Sequence, residues 1–322
     1  MHIVLITPYG AESKSGNWHT AARWTAFLRE AGHQVDVATV WNNEPADLMI
    51  ALHARRSAAS IHAFAAKHPD KPLIVVLTGT DLYRDIRHDA DAKMSLKLAH
   101  RLVVLQDKGL EELAPELAQK TRVIYQSAPD IPPQPKSRDT FEVLVIGHLR
   151  EEKDPFRPVL AAALLPEQSR IRITHLGRAL SSDMEAKARE LESKIPRWHW
   201  QDEIPHEDVM VRLSRAHLMI ISSLMEGGAN VICEALAADV PVIASDIPGN
   251  IGMLGDTYPG YYPVGVEHRL AQSLIKAETD PDFYAELIRH CRERRVLMTP
   301  DREAASVMQL TGEFETLISH QS

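Results

Sequence analysis

The stretch Glu226-Gly227-Gly228-Ala229-Asn230-Val231-Ile232-Cys233-Glu234 follows an apolar run, His217 to Ile221, and leads through Ala235 to Ala238 into a second, Val240 to Ala244. It reads as strand, glycine turn, helix, strand. Such a turn leaves the first N–H groups of the helix without intrahelical partners at the C-terminal end of a strand. The helix dipole favours an anion there, such as a diphosphate. Two carboxylates, Glu226 and Glu234, flank the position. For a helix starting near Gly228, eight residues at about 1.5 Å rise put their Cα atoms roughly 12 Å apart, so that one side chain reaches a sugar and the other a ribose. The competing structural reading is a plain glycine turn before a buried helix, with a glutamate that is only a favourable charge in the first helical turn.

Short apolar runs alternate with longer amphipathic stretches along the chain, the pattern of parallel sheets covered by helices. Strands are predicted at His2 to Ile6, Gln34 to Thr39, Leu48 to Leu52, Leu73 to Leu77, Arg101 to Leu105 and Arg122 to Ile124. A second set falls at Phe141 to Ile146, Ile171 to Leu176, Trp198 to Trp200, His217 to Ile221 and Val240 to Ala244. Between Gln126 and Thr140, Pro129, Pro132, Pro133 and Pro135 with polar neighbours predict an extended linker. The expected fold class is therefore α/β, with two doubly wound Rossmann-like domains facing a central cleft that holds the active site. The first spans residues 1–130 on the acceptor side and the second 131–300. Residues 301–322 form a last helix packing back on the first domain. Helices are predicted at Glu267 to Ala277, Pro281 to Val296 and Asp301 to Ser319, with a break at Thr299-Pro300.

At 322 residues the chain has room for two such cores. A net charge of -8 argues against a general nucleic-acid surface, leaving local basic clusters to face an anionic small molecule. Cys233 and Cys291 are too far apart in sequence for metal-ligand spacing, so neither a disulfide framework nor a structural zinc is expected. The apolar start, Met1 to Pro8, is too short for a signal peptide and reads as a first strand. No run reaches the length of a membrane span, which makes a cytoplasmic protein the default expectation. Tyr261 and Tyr262 are expected to pack or to line a cleft rim. Trp198 and Trp200 share a parity, and hence a face, on their strand.

Two further constellations carry chemistry. In Val143-Leu144-Val145-Ile146-Gly147-His148-Leu149-Arg150-Glu151-Glu152-Lys153-Asp154, a glycine directly after a strand lets backbone approach a ligand, and Lys153 reaches toward a phosphate; otherwise the loop is merely charged and solvated. In the first half, Leu52-His53-Ala54-Arg55-Arg56-Ser57 and Thr78-Gly79-Thr80-Asp81-Leu82-Tyr83-Arg84 each follow a strand, and Ser15-Gly16-Asn17 follows the first. In a doubly wound domain these loops share one edge. Three arginines, a histidine, hydroxyls and helix-start N–H groups then suit a small oxyanion. The alternative is that Arg55 and Arg56 are surface residues.

Gly147-His148-Leu149 with Lys153, then His175-Leu176-Gly177, and then Ile220 to Glu234 running into Pro241 to Asp246 and Gly249 resemble family 4 of the retaining glycosyltransferases, with the glycosyltransferase B fold. The resemblance is strong over Phe141 to Gly252, and its most specific element is the glutamate pair. It implies that Glu226 holds donor-sugar hydroxyls and that Gly227, Gly228 and Asn230 shape the diphosphate and sugar pocket. Glu234 would bind the ribose diol and Lys153 would neutralise the leaving diphosphate, with Gly16, Gly147, His148 and Arg150 completing the donor side. Cationic charge at the diphosphate lowers the barrier where charge develops, so neither metal nor cofactor is expected. Two departures stand out: His148 where that family usually has arginine, and Thr78 where it has histidine.

The first-half segments, closest over Leu52 to Asp85, are similar to the selenosugar synthases of selenoneine biosynthesis. This narrower resemblance implies transfer from UDP-N-acetylglucosamine to selenophosphate, releasing UDP and eventually phosphate. It also implies small-molecule substrates and association with other enzymes of that pathway; the oligomeric state stays open. An ionised selenophosphate needs positioning and charge neutralisation more than a base. Arg55, Arg56 and Arg84 are accordingly expected at the acceptor oxyanion, with Asn17, His53, Thr78, Gly79 and Thr80 around it. Lys153, Glu226, Arg55, Arg56 and Asp81 are the expected catalytic groups. Asp81 reads equally as a general base for a hydroxyl acceptor or as a helix cap. Two alternatives therefore stand beside the selenium chemistry: conventional transfer to a hydroxyl, and a nucleotide-sugar sensor without turnover.

Overall fold

The computed structural model describes residues 1–13 and 15–315. Its first six strands are β1 (His2–Ile6), β2 (Gln34–Ala38), β3 (Leu48–Leu52), β4 (Leu73–Leu77), β5 (Arg101–Val104) and β6 (Thr121–Val123). They pair in parallel in the order β2-β1-β3-β4-β5-β6. The second six are β7 (Phe141–Ile146), β8 (Ile171–Leu176), β9 (Trp198–Gln201), β10 (Leu218–Ile221), β11 (Val242–Ser245) and β12 (Tyr261–Tyr262). These are also parallel, in the order β12-β11-β10-β7-β8-β9. Every strand expected from an apolar run is present. The sequence reading missed β12, whose two residues are too few to show an alternation; its register opposite Ala244 and Ser245 makes it a strand.

Two compact units result. One comprises Met1–Ser127, Glu226–Ala229 and the stretch starting at Met298; the other comprises Ala128–Met225 and Asn230–Leu297. In the first unit, alternate residues of each strand feed opposite faces of the sheet, as a two-residue period requires. Ile3, Leu5, Leu48, Ile50 and Leu52 pack with Trp24 and Leu28 of the Gly16–Glu30 helix and with Val307, Leu310 and Phe314. Val4, Ile6, Met49 and Ala51 pack on the other side with Ile61, Phe64, Ala92 and Leu96. Both faces of β3 and β4 are thus wholly apolar, and the polar side chains of this region sit in the loops. In the second unit Trp198 and Trp200 are both buried while His199 between them is exposed, so the two indoles do share a face.

Residues 124–140 form neither helix nor strand, as the prolines predict, but the segment is anchored at its start, where Gln126 and Ser127 are buried. The last described helix runs Pro300–Gly312; residues 316–319 of the longer helix predicted there lie outside the described residues. Its Glu303 is 1% exposed and fully engaged. The carboxylate accepts from Arg23 Nε at 2.6 Å and Nη2 at 3.0 Å, from Trp24 Nε1 at 2.8 Å and from Ser127 Oγ at 2.5 Å. A buried charge with four donors is tolerated; removing it leaves those donors, a guanidinium among them, without the carboxylate that compensates their desolvation. Glu303→Ala is therefore expected to destabilise the first unit by about 3–5 kcal/mol in urea denaturation. A loss below about 1 kcal/mol would mean that this network contributes no more than an exposed ion pair.

Candidate active site

In the first sheet the strand order reverses between β1 and β3, and the loops after these strands open at the carboxyl edge, where doubly wound sheets bind ligands. His53, directly after β3, has a left-handed φ of +73°, a conformation that costs a β-carbon-bearing residue on the order of 1 kcal/mol or more. It is held by its own N–H on Val76 O at 2.8 Å and by Ser57 N–H on His53 O at 3.1 Å. The Arg56 N–H points at Nδ1 (3.3 Å) and Nε2 lies 3.0 Å from Thr80 Oγ1, a pattern that assigns a neutral ring donating from Nε2. Asp81 lies 3.9 Å from Nδ1, but burial outweighs its attraction and lowers the imidazole pKa.

Asp81 itself is fully buried. One carboxylate oxygen accepts from Ala54 N–H at 2.9 Å and the other from Thr78 and Gly79 N–H, each at 2.9 Å. The side chain thereby ties the loop after β4 to the loop after β3. It opens a single π-helical turn, Asp81–Asp85, that carries Arg84 and Asp85 round to the same edge. Asp85 accepts from Arg55 Nε at 2.8 Å and from Arg84 Nε at 3.2 Å. Arg56 is exposed; it donates to the Tyr9 hydroxyl, with its guanidinium 5.2 Å from the Tyr9 ring centroid. Arg55, Arg56 and Arg84 thus stand at the carboxyl edge of the sheet with half or less of their side-chain surface exposed at Arg55 and Arg84. Gly16 and Asn17 form the first turn of a helix capped by Ser15, whose hydroxyl accepts from Trp18 N–H at 3.3 Å.

The glycine turn Glu226–Ala229 is counted with this first unit. A β-carbon on Gly227 would stand 2.4 Å from the carbonyl carbon and oxygen of Thr78 and 2.6 Å from Gly79 N. One on Gly228 would meet Leu105 Cβ at 2.5 Å. Close approach of the Thr78–Gly79 backbone at Gly227 and of the Leu105 side chain at Gly228, and not an unusual φ, is what demands glycine at the two places. The Gly228 carbonyl accepts from Gln126 Nε2 at 2.5 Å, and Glu226 is 8% exposed. The helix after the turn runs Asn230–Ala237, so it starts two residues later than the sequence predicts.

In the second unit the order reverses between β7 and β10. Their loops are stitched together: Ser222 Oγ donates to Lys153 O at 2.9 Å and Asp154 O at 3.0 Å, and Leu224 N–H to Glu152 O at 2.8 Å. Gly147 follows β7, and the aliphatic stem of Lys153 passes about 4.0 Å from where its β-carbon would be. His148 Nδ1 accepts from Arg178 N–H at 3.2 Å. Burial lowers its pKa, and the neighbouring cations Arg178, Arg150 and Lys153 act in the same direction against Glu203. A neutral His148 presenting Nε2–H therefore sits among three cations. Glu234 accepts from His206 Nε2 at 2.8 Å, and this bond raises the His206 pKa.

The fold gathers His53, Arg55, Arg56, Thr78, Gly79, Thr80, Asp81 and Arg84 with Gly227 and Gly228 in the first unit, and Gly147, His148, Arg150 and Lys153 at the switch point of the second. Sequence reasoning passed over Tyr9, Asp85, Gln126, Arg178 and His206. Each has a partner in a different loop or element, with no motif to connect them. Among the described residues no group of His, Cys, Asp or Glu side chains is arranged to hold a metal ion, and no helix is long and apolar enough to cross a membrane.

Known proteins carry the same organisation. Glycosyltransferase 1 domain-containing protein 1 of Xenopus tropicalis is 23% identical over 268 residues, which cover 74% of this chain and 77% of that protein. Two solved structures superpose over nearly the whole chain. HepE of Anabaena, crystallised in complex with UDP-glucose, has a TM-score of 0.77 at 15% identity, covering 97% of this chain and 100% of that one. Sucrose-phosphate synthase of Thermosynechococcus elongatus has a TM-score of 0.79 at 18% identity, covering 98% and 99%. At these identities the likeness is one of fold, and that fold is the two-sheet glycosyltransferase B architecture. The sequence pattern described as glycosyl transferases group 1 matches residues 127–294, more than half of the chain including the glutamate-flanked turn, and the chain belongs to that family.

Proposed function

We propose that the protein transfers N-acetylglucosamine from its UDP ester to selenophosphate. Selenium attacks the anomeric carbon, and the carbon–oxygen bond to the diphosphate breaks with its electron pair leaving on UDP. Water then cleaves the selenium–phosphorus bond, yielding phosphate and the selenosugar. For the donor half, support comes from the family and from HepE, which holds UDP-glucose on the same fold. Glu226 would take donor-sugar hydroxyls, Glu234 the ribose diol, and Gly227, Gly228 and Asn230 the diphosphate and sugar. Lys153 and Arg150, with Arg178 and the Nε2–H of His148, would stabilise charge as it develops on the departing oxygen.

The observation that carries the acceptor half is the commitment of Asp81, Asp85 and His53, the three proton acceptors that stand among the first-unit arginines. Asp81 is fully buried under three backbone N–H groups, Asp85 serves two arginines, and both ring nitrogens of His53 are bonded. A hydroxyl acceptor asks for a base, and an ionised selenophosphate asks for cations. Arg55, Arg56 and Arg84 supply the cations. Asp81 is accordingly a positioning residue in this reading.

UDP release from UDP-N-acetylglucosamine should require selenophosphate under anaerobic conditions, with a selenium-bearing sugar seen by mass spectrometry. Release that proceeds with a carbohydrate or lipid hydroxyl and ignores selenophosphate would replace this acceptor with an ordinary one. Glu234→Ala is expected to weaken UDP binding about 10-fold or more, the loss of a charge-assisted hydrogen bond. Arg55→Ala should raise the selenophosphate KM or lower kcat by a similar factor while UDP affinity stays put; equal loss of UDP binding in both variants would show that the two roles are wrongly divided.

A further inference from the structure

Gln126 is 1% exposed and lies three residues beyond the end of β6, at the start of the proline-rich segment. Its side-chain oxygen accepts from Thr20 Oγ1 at 2.5 Å and from Arg23 Nη2 at 3.1 Å. Arg23 is in turn locked in place by Glu303. A guanidinium only donates, so the oxygen of the amide must face Arg23 and the NH2 must face away. That NH2 meets the Gly228 carbonyl at 2.5 Å, and a carbonyl only accepts. The direction of the amide is therefore set from both ends, and the Gly228 carbonyl is pinned toward Gln126.

No peptide bond in the described chain is cis. In a trans peptide the C=O and the next N–H point in opposite directions, so holding the Gly228 carbonyl toward Gln126 turns the Ala229 N–H the other way. Ala229 immediately precedes the Asn230–Ala237 helix, whose first N–H groups are the ones a diphosphate would meet. A flip of this peptide turns ψ of Gly228 and φ of Ala229, and glycine has no side chain to restrain the first of these.

We infer that Gln126 is a positioning residue for donor binding: it fixes the orientation of the Gly228–Ala229 peptide and so presents the Ala229 N–H to the nucleotide-sugar diphosphate. The inference rests on the donor half of the proposed function and is independent of the acceptor. Thr20, Arg23 and Glu303 act behind it, because they set which end of the amide faces the turn.

The test is UDP and UDP-N-acetylglucosamine affinity by calorimetry, with Tm recorded for each protein. Gln126→Met is nearly the same length and cannot donate. Gln126→Glu keeps an acceptor for Thr20 and Arg23 and turns a carboxylate oxygen on the Gly228 carbonyl. Both should weaken binding about tenfold, the effect of one misdirected hydrogen-bond donor. Ser127→Ala removes a neighbouring bond to Glu303 and should lower Tm while leaving affinity within about twofold of wild type. The inference is overturned if Gln126→Met binds as wild type does, or if Ser127→Ala loses as much affinity as the Gln126 variants, which would make the effect one of stability. Wild-type protein that fails to bind UDP at all would instead sink the donor reading on which the inference rests.

Discussion

Strand direction governs this molecule. All strands of each sheet run the same way, so the loops that follow them emerge at one edge, and each sheet has a single place where the connections from neighbouring strands lead off in opposite directions along the sheet. That place lies between β1 and β3 in one sheet and between β7 and β10 in the other, and the cationic side chains of each unit gather at its loops. Parallel sheets need cover on both faces, which leaves β3 and β4 wholly apolar. Polar chemistry is thereby driven off the strands and onto their carboxyl ends.

Loops so placed still need rigid attachment, and here buried polar groups supply it. Asp81 joins two loops by accepting three backbone N–H groups, so that the strained His53 and the π-helical turn are set relative to each other before any ligand arrives. Glu303 does the same on the other side of the sheet for Arg23, Trp24 and Ser127, and through Arg23 for Gln126. Networks of this kind stabilise only when every member is satisfied, and their return is one geometry in place of several. Preorganised donors are what a site for an anion requires, since donors that must reorient at the moment of reaction stabilise it less.

The fold was legible because apolar periodicity is a local signal. Short runs such as Leu48 to Leu52 and Leu73 to Leu77 leave no surface for a half-exposed strand, and they appear as central strands. The Trp198 and Trp200 parity held for the same reason. β12 escaped because Tyr261 and Tyr262 pair only through their neighbour β11. In the site, glycine and charge at the ends of apolar runs pointed to loops at the carboxyl edges of the two sheets, but the residues that orient those charges did not announce themselves. Asp85 looks like any helix carboxylate until Arg55, thirty positions earlier, is seen against it. Tyr9 and Arg56, Gln126 and Gly228, and His206 and Glu234 are likewise joined across long stretches of chain. From its place after a strand Asp81 reads as base or cap; its backbone partners are Thr78 and Gly79 in its own loop and Ala54 in another, and a local reading sees only the first loop.

By itself the sequence determined the alternation of strands and helices, the two-sheet α/β class, and the presence of a glycine turn between two glutamates, since each follows from residue types at short spacing. Tertiary structure decided why those glycines are glycines, because only packing brings Thr78 and Leu105 within van der Waals reach of Gly227 and Gly228. It also decided which charges are committed and which face outward. Hydrogen bonds and burial join residues by distance in space, and a chain that returns to the same edge after every strand makes those neighbours from positions that are far apart in sequence.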